Sequence, residues 1–382
     1  MEEKNKYQLK KVKFYNATLP TISEIFGNKD WVFYGQGNTY PNFLIDVYNN
    51  SAIHKSIVQA KVSQIVGDGL YCETNPMATI NLVNKKENIQ DVYEKCALDL
   101  VLFGGYAVNV VWKRDRSEGI AEIHHIDFSR VRCAKIDEGS DEDEVTSYYY
   151  SADWTNTRKN KPVELPAFNI EAEDPSQILY VTSYQPSNDY YPSPDYSGAL
   201  AAIDISIEIQ NFHKNNLKNG MMPSLFINFN NGVPGPEEQD IITRALEESY
   251  GGTDNGGRAV VSFNESKESG PTIEAVQPNQ SDNYYTTIYE DIIRSILSGH
   301  RVSSGELFGI SSAGKLGSAN EILEHSEFFR NTVIKPYINE LISTFNKLMS
   351  LKTSQPIMLK VKPLTILDVE KVEIKDEKTI IE

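Results

Sequence analysis

The chain has 382 residues, 40% of them hydrophobic and 24% charged, with a formal net charge of -16. That length exceeds a usual single domain and allows two or three with ample core, while the acidic balance argues against a broad basic surface that grips nucleic acid. No stretch approaches ~18 uninterrupted apolar residues and the opening Met1-Glu2-Glu3-Lys4-Asn5-Lys6 lacks an apolar signal core, so a cytosolic protein without a membrane span is expected when the chain is made.

Residues 1–40 carry weak signals. A first helix is expected over 51–66 through Ile53, Ile57, Val58, Val62 and Ile65, stopped by Gly67. A second, over about 88–102, turns Ile89, Val92, Tyr93, Cys96 and Leu100 inward and ends at Gly104-Gly105. Strands follow over 106–113 and 120–126, joined by a polar turn, and others near 130–135, 145–150 and 178–182. This pattern is an α+β domain with a largely antiparallel sheet. His124 and His125 are adjacent on a strand, point to opposite faces and cannot clamp one metal. The acidic run Asp137, Glu138, Asp141, Glu142, Asp143, Glu144 lacks the ligand spacing of a calcium loop and reads as a solvated turn. Cys72, Cys96 and Cys133 have no paired spacing and are expected to be reduced in a core.

The centre of the chain is a helix out, a small module and a helix back. The outgoing helix, over about 198–219, is roughly 30 Å long at ~1.5 Å per residue. Its apolar residues fall on two nearly opposite stripes: Leu200, Ile203 and Ile207 on one, and Ala202, Ile205, Ile209 and Phe212 on the other. Between them run two polar stripes, one with Asp204, Glu208, Asn211 and Asn215 and the other with Ser206, Gln210 and His213. Such a helix packs on two sides, either within one large domain or in a closed ring of helices. The return helix starts near Asp282 and keeps a single stripe through Tyr285, Ile288, Tyr289, Ile292, Ile293, Ile296 and Leu297. Between them, strands are expected over 224–229, 258–263 and 272–276, with a helix opened by Pro236 and closed by Gly251-Gly252.

A third helix begins at the capping box Ser318/Glu321 and continues to about Ser350, with a kink expected at Pro336, which lacks an N–H and crowds the carbonyl of Thr332. Before it, the run 309–315 matches most of the phosphate-binding pattern G-x-x-x-x-G-K-[ST], but Leu316 stands where the hydroxyl must be and no buried strand precedes the run. A flexible loop is the better account. No Ser or Cys nucleophile occurs in a recognisable setting, so neither catalysis, a cofactor nor a metal is expected. A strand over 356–362 is expected to rejoin the sheet, followed by a charged tail.

The succession Phe212-His213-Lys214-Asn215-Asn216-Leu217-Lys218-Asn219-Gly220, Pro223-Ser224, Glu248-Ser249-Tyr250-Gly251-Gly252 and Asn255-Gly256-Gly257-Arg258 resembles the portal proteins of tailed bacteriophages. So do Ile296-Leu297-Ser298-Gly299-His300-Arg301-Val302, the Gly-rich loop after it, and the helix entered through Asn320-Glu321-Ile322-Leu323-Glu324. The order and spacing of these phrases over residues 195–348 carry the resemblance. It implies a wing with an antiparallel sheet (1–195), a helical stem (196–220 and 281–301), a small α+β clip (221–280), a tunnel loop (302–318), a long kinked helix (319–350), and a final wing strand with a tail over 351–382 and little room for a crown.

The resemblance further implies a ring of about twelve copies at one capsid vertex, a structural DNA channel rather than an enzyme. Its partners would be double-stranded DNA, the terminase large subunit, a head-tail adaptor, and the major capsid and scaffold proteins. An acidic wall would let DNA pass without sticking. The tunnel loop would present Gly309, Ser311, Ser312, Gly314, Lys315 and Ser318, with Lys315 facing phosphates. In the stem, Asp204, Glu208, Asn211 and Asn215 would line the channel, the face with Ser206, Gln210 and His213 being the alternative, and Ile203, Ile205, Ile207, Ile209 and Phe212 would lie between subunits. In the clip, Glu237, Glu238, Arg244, Glu247 and Glu248 would meet partners. The rival readings are a nucleotide hydrolase using Gly309–Lys315 and a ring-forming scaffold of unrelated origin.

Overall fold

The computed structural model describes residues 20, 22–136, 144–219, 225–229, 235, 237–238, 240–242, 259–263, 281–309 and 319–364. It divides into two compact units: Met1–Asp46, Val58–Asp195 and Ser326–Glu382 form one, and Val47–Ile57 with Tyr196–His325 form the other.

In chain order the first elements are β1 (Glu24–Ile25), β2 (Phe33–Tyr34), α1 (Tyr40–Asn50), α2 (Ala52–Val66), β3 (Leu70–Cys72), α3 (Met77–Ile80) and α4 (Ile89–Phe103). Then come β4 (Gly105–Trp112), β5 (Ile120–Ile126), β6 (Val131–Cys133), β7 (Ser147–Tyr150), β8 (Val163–Pro166) and β9 (Ser176–Thr182). The first unit is built on two three-stranded antiparallel sheets, ordered β5-β4-β9 and β6-β7-β8. The central strand β4 is apolar along most of its length because it is covered on both faces, and its residues from Tyr106 to Val108 are fully buried. Helix α4 starts where the Asn88 side chain accepts from the Asp91 N–H and the Asp91 carboxylate accepts from the Asn88 N–H, both at 3.0 Å. Its expected inward residues Ile89, Val92, Tyr93, Cys96 and Leu100 are all buried. Gly104 ends it in the left-handed region at φ 83°, where a side-chain carbon would lie 2.6 Å from the Ser193 carbonyl oxygen. The three cysteines are buried and free.

The expected interruption at Pro336 takes a specific form. Helix runs over Ala319–Phe329, widens into a π-helical turn over Arg330–Ile334, and continues over Lys335–Thr353. The wider turn accommodates the missing Pro336 N–H one turn upstream, while the Thr332 hydroxyl donates to the Phe328 carbonyl at 2.7 Å. The last of these helices packs on α4, with Phe345 edge-on to Tyr93 at 5.4 Å. The strand expected over 356–362 is shorter, Leu359–Val361, and pairs antiparallel with β3 in a separate two-stranded sheet, not with the larger one. Unexpected from sequence were β1, β2, α1, β3, α3 and β8.

Two buried cations tie the first unit together. The fully buried Arg132 guanidinium lies over Trp154 at 4.9 Å and donates to the carbonyls of Asn38 (3.0 Å), Ser129 (2.8 Å) and Val131 (2.7 Å), so the segment before α1 is fixed to β6. Lys61, on the buried face of α2, meets Asp195 at 3.0 Å and faces the Tyr337 ring at 6.0 Å. Removing one partner of a buried pair strands the other charge, at ~3–5 kcal/mol. Asp195→Ala is therefore expected to cost about 3 kcal/mol in chemical denaturation. The double change Lys61→Met with Asp195→Leu should recover most of that loss; a loss below ~1 kcal/mol for Asp195→Ala would contradict this account.

The second unit contains α5 (Leu200–Asn219), β10 (Leu225–Phe229), β11 (Ala259–Phe263) and α6 (Ser281–Gly299). The expected out-and-back helices are thus present, the return helix starting at Ser281. Strands β10 and β11 pair in parallel from Leu225↔Ala259 to Phe229↔Phe263, which requires a crossover between them, and residues 237–238 and 240–242 within that crossover are helical. The strand expected over 272–276 lies outside the described residues. The C-terminal helices become α7 (Ala319–Phe329) and α8 (Lys335–Thr353), and the closing strand β12 (Leu359–Val361).

Candidate channel and subunit-contact surfaces

Burial around α5 separates its two apolar stripes. On one side Leu200 and Ile203 are buried, Ile203 completely, and Ile207 is half-buried. Helix α5 packs on α6, whose Ile292 and Ile296 are buried in turn. On the other side Ile205 is 48% exposed and Ile209 half-buried. Ile203 therefore has no surface left to offer a second subunit, and the expectation that it lies between subunits is corrected: it packs inside its own. The side chain of Phe212 lies outside the described residues.

The two polar stripes differ as well. Ser206 is fully buried; its hydroxyl donates to the Ile203 carbonyl at 2.6 Å and lies 3.5 Å from the Ser51 hydroxyl. Of the alternative polar face, then, only Gln210 and His213 are exposed. On the favoured stripe Glu208 and Asn211 are exposed and Asp204 half-buried, while the Asn215 side chain is outside the described residues. Burial raises the Asp204 carboxyl above its ordinary range, and the like charge of Glu208 one turn on raises it further.

The helices converge at a tight junction. A side-chain carbon on Gly299 would fall 2.3 Å from the Ala199 β-carbon, so the end of α6 touches the turn before α5 where no side chain fits between them. Beside it, the fully buried imidazoles of His54 and His300 share a contact of 2.9 Å between Nδ1 and Nε2, and the Tyr196 ring stacks on His300 at 5.0 Å. Only one proton can occupy that contact, so one ring donates while the other accepts. Sequence reasoning missed this junction. The available signal was a Gly and a His two and three residues after the last stripe residue of the return helix.

Of the tunnel-loop residues, Gly309 is described and adopts the left-handed region at φ 73° after a short turn over Gly305–Phe308; Ser311, Ser312, Gly314, Lys315 and Ser318 lie outside the described residues. The phosphate-loop-like run is thus outside them too, apart from Gly309. In the crossover, Glu237 and Glu238 are helical and exposed, and Arg244, Glu247 and Glu248 are not among the described residues. His124 pairs with Glu122 at 2.8 Å and His125 with Asp99 at 2.7 Å, each with its own carboxylate. Among the described residues no cluster of three metal-ligating side chains occurs, and no helix is long and apolar enough to cross a membrane.

The profile of the family described as phage portal protein matches residues 68–371, and the chain belongs to that family. No curated protein sequence matches it. Among solved structures, a chain from the virion of a native gene transfer agent particle superposes with a TM-score of 0.56 at 17% identity, covering 92% of this chain and 87% of its own. A chain from the neck of the native particle, computed with C12 symmetry, gives 0.55 at 17% identity over 84% of both chains. An HK97-family phage portal protein from Corynebacterium diphtheriae gives 0.47 at 12% identity, covering 85% of this chain and 95% of that one.

Gly299→Ala is expected to destabilise the subunit by on the order of 1–3 kcal/mol through overpacking, and Ala199→Gly to recover part of it in the double variant. Equal stability of Gly299→Ala and wild type would show that the junction yields freely. Because the folded-state carboxyl of Asp204 is raised, its contribution to stability is present below the ordinary carboxylate range and lost as pH rises through the folded value. Glu208→Gln removes the repulsion, so an NMR titration of the subunit should find the Asp204 midpoint lowered; an unchanged midpoint would leave burial as its whole cause.

Proposed function

We propose that about twelve copies of this chain close into a ring forming a DNA channel at one capsid vertex, the portal through which the genome is packaged and to which the tail is joined. The observation that carries this is the apolar stripe of Ile205, 48% exposed, and Ile209, half-buried, on a helix that packs on α6 and buries Leu200 and Ile203 on its other apolar stripe. A partly exposed apolar stripe on a long helix calls for a partner, and a repeated copy supplies it all around a ring. The C12 symmetry of the related particle neck supports the copy number. The acid and amide stripe of Asp204, Glu208, Asn211 and Asn215 then forms a channel wall that repels phosphates.

In this reading the first unit is the wing, α5 and α6 the stem, residues 221–280 the clip, 302–318 the tunnel loop with Lys315 toward DNA, and α7 to α8 the kinked wing helix. Glu237, Glu238, Arg244, Glu247 and Glu248 belong to the clip surface that meets the terminase large subunit during packaging and a head-tail adaptor afterwards. Major capsid and scaffold proteins surround the wing. The chain is structural, and the work of translocation comes from the motor's ATP. The virion is its final location, after assembly in the host cytoplasm.

Ile205→Asp with Ile209→Asp should abolish oligomers in native mass spectrometry while the subunit still unfolds cooperatively near the wild-type temperature. Full assembly of the double variant would remove the stripe from the contact.

A further inference from the structure

On the ring reading above, each subunit must present two different, complementary surfaces, because a ring of identical copies is built from head-to-tail contacts. The first unit carries such a pair outside the stem. Met77, Ile80 and Leu82, on α3 and just beyond it, are 52%, 65% and 58% exposed. Three large apolar side chains exposed within six residues make a local apolar knob, unlike singly scattered exposed hydrophobics. The knob is held at the outer edge of β5, where the Val83 carbonyl accepts from the Ile123 N–H at 3.0 Å and the Asn84 amide donates to the Ile123 carbonyl at 2.9 Å.

Over β9, across the central strand from that edge, lies a mainly apolar groove of about 620 Å³ lined by Phe168, Ile170, Leu179, Val181, Leu348 and Leu351, with Thr344, Lys347 and Ser350 of α8 completing it. Its outer wall is braced. Phe168 stacks on Trp112 at 6.0 Å, and Arg116, lying over Trp112, donates to the carbonyls of Ile170 at 3.1 Å and Asp174 at 2.6 Å. Ile170 remains 57% exposed at the rim.

The charges beside the two features are opposite. Lys85 and Lys86 follow the knob, exposed, and Glu171, Glu173 and Asp174 follow Ile170 at the groove, exposed as well. None of these five side chains enters an ion pair among the described residues.

We infer that the Met77–Ile80–Leu82 knob of one copy seats in the Phe168–Ile170 groove of the next, with Lys85 and Lys86 against Glu171, Glu173 and Asp174, as a second subunit contact separate from the stem. An apolar cluster followed by two lysines, and an apolar groove whose rim continues into three carboxylates, suit a contact that propagates from copy to copy. Apolar burial supplies adhesion, and the charge pairing sets register and encounter rate.

The test uses the full chain. Lys85→Glu with Lys86→Glu should lower assembly at least tenfold in native mass spectrometry at low salt, and adding Glu171→Lys, Glu173→Lys and Asp174→Lys in the same chain should restore it. In a second variant, Ile80→Cys with Ile170→Cys, both at exposed positions, oxidation should link successive subunits into a ladder on a denaturing gel. Rings that form undiminished in the charge-reversed variant and give no ladder overturn the contact while the ring reading stands. A disulfide formed only within single chains likewise overturns it. A wild type that forms no ring at all overturns both.

Discussion

A helix can bury only the stripe that something covers, and α5 has two apolar stripes, of which one holds its buried residues and the other its exposed Ile205. Its Leu200–Ile203 side is buried, α6 packs on the helix, and the close approach of Gly299 to Ala199 fixes how near the two helices come at their joined end. Everything proposed for the second unit depends on that asymmetry. Were α5 apolar all around and buried, it would be a core helix and the chain would have no reason to assemble through it. Were it apolar only toward α6, the hairpin of helices would be complete in one subunit. Ile205 is the residue that distinguishes these cases, because its side chain is 48% exposed while Leu200 and Ile203 on the other stripe are buried.

The buried polar groups do different work in the two units. Arg132 and Lys61 each hold a segment to the first unit's core, and both are satisfied by several partners, as buried cations must be. The His54–His300 contact in the second unit joins α2 to the end of α6 beside the Gly299 junction. A fold held at such points keeps its surface stripes in register, which a ring of copies requires.

The larger elements were legible because they obey strong local rules. Asn88 and Asp91 cap α4, Gly104 ends it, and β4, apolar but for Asn109, reads as a buried strand beside the more polar and more open β5. The elements that escaped are short or disguised: β3 has three residues, β8 ends in Pro166, and α1 opens with Tyr40-Pro41 in a segment rich in Asn and aromatics. At the site, periodicity revealed two stripes on α5 but not which one the subunit keeps for itself. That depends on where α6 lies, which is tertiary information. Ser206 escaped for a related reason: a serine in a helix satisfies itself on a backbone carbonyl, here Ile203, and can then be buried without announcing it.

The central claim is that copies of this chain close around a hole. Imaging the purified wild-type protein by electron microscopy, with capsid partners added if needed, tests it most directly. The account requires closed rings of uniform copy number with a central opening that admits duplex DNA. Compact monomers alone, at high concentration and with those partners present, would contradict it and return α5 to the role of an ordinary domain helix.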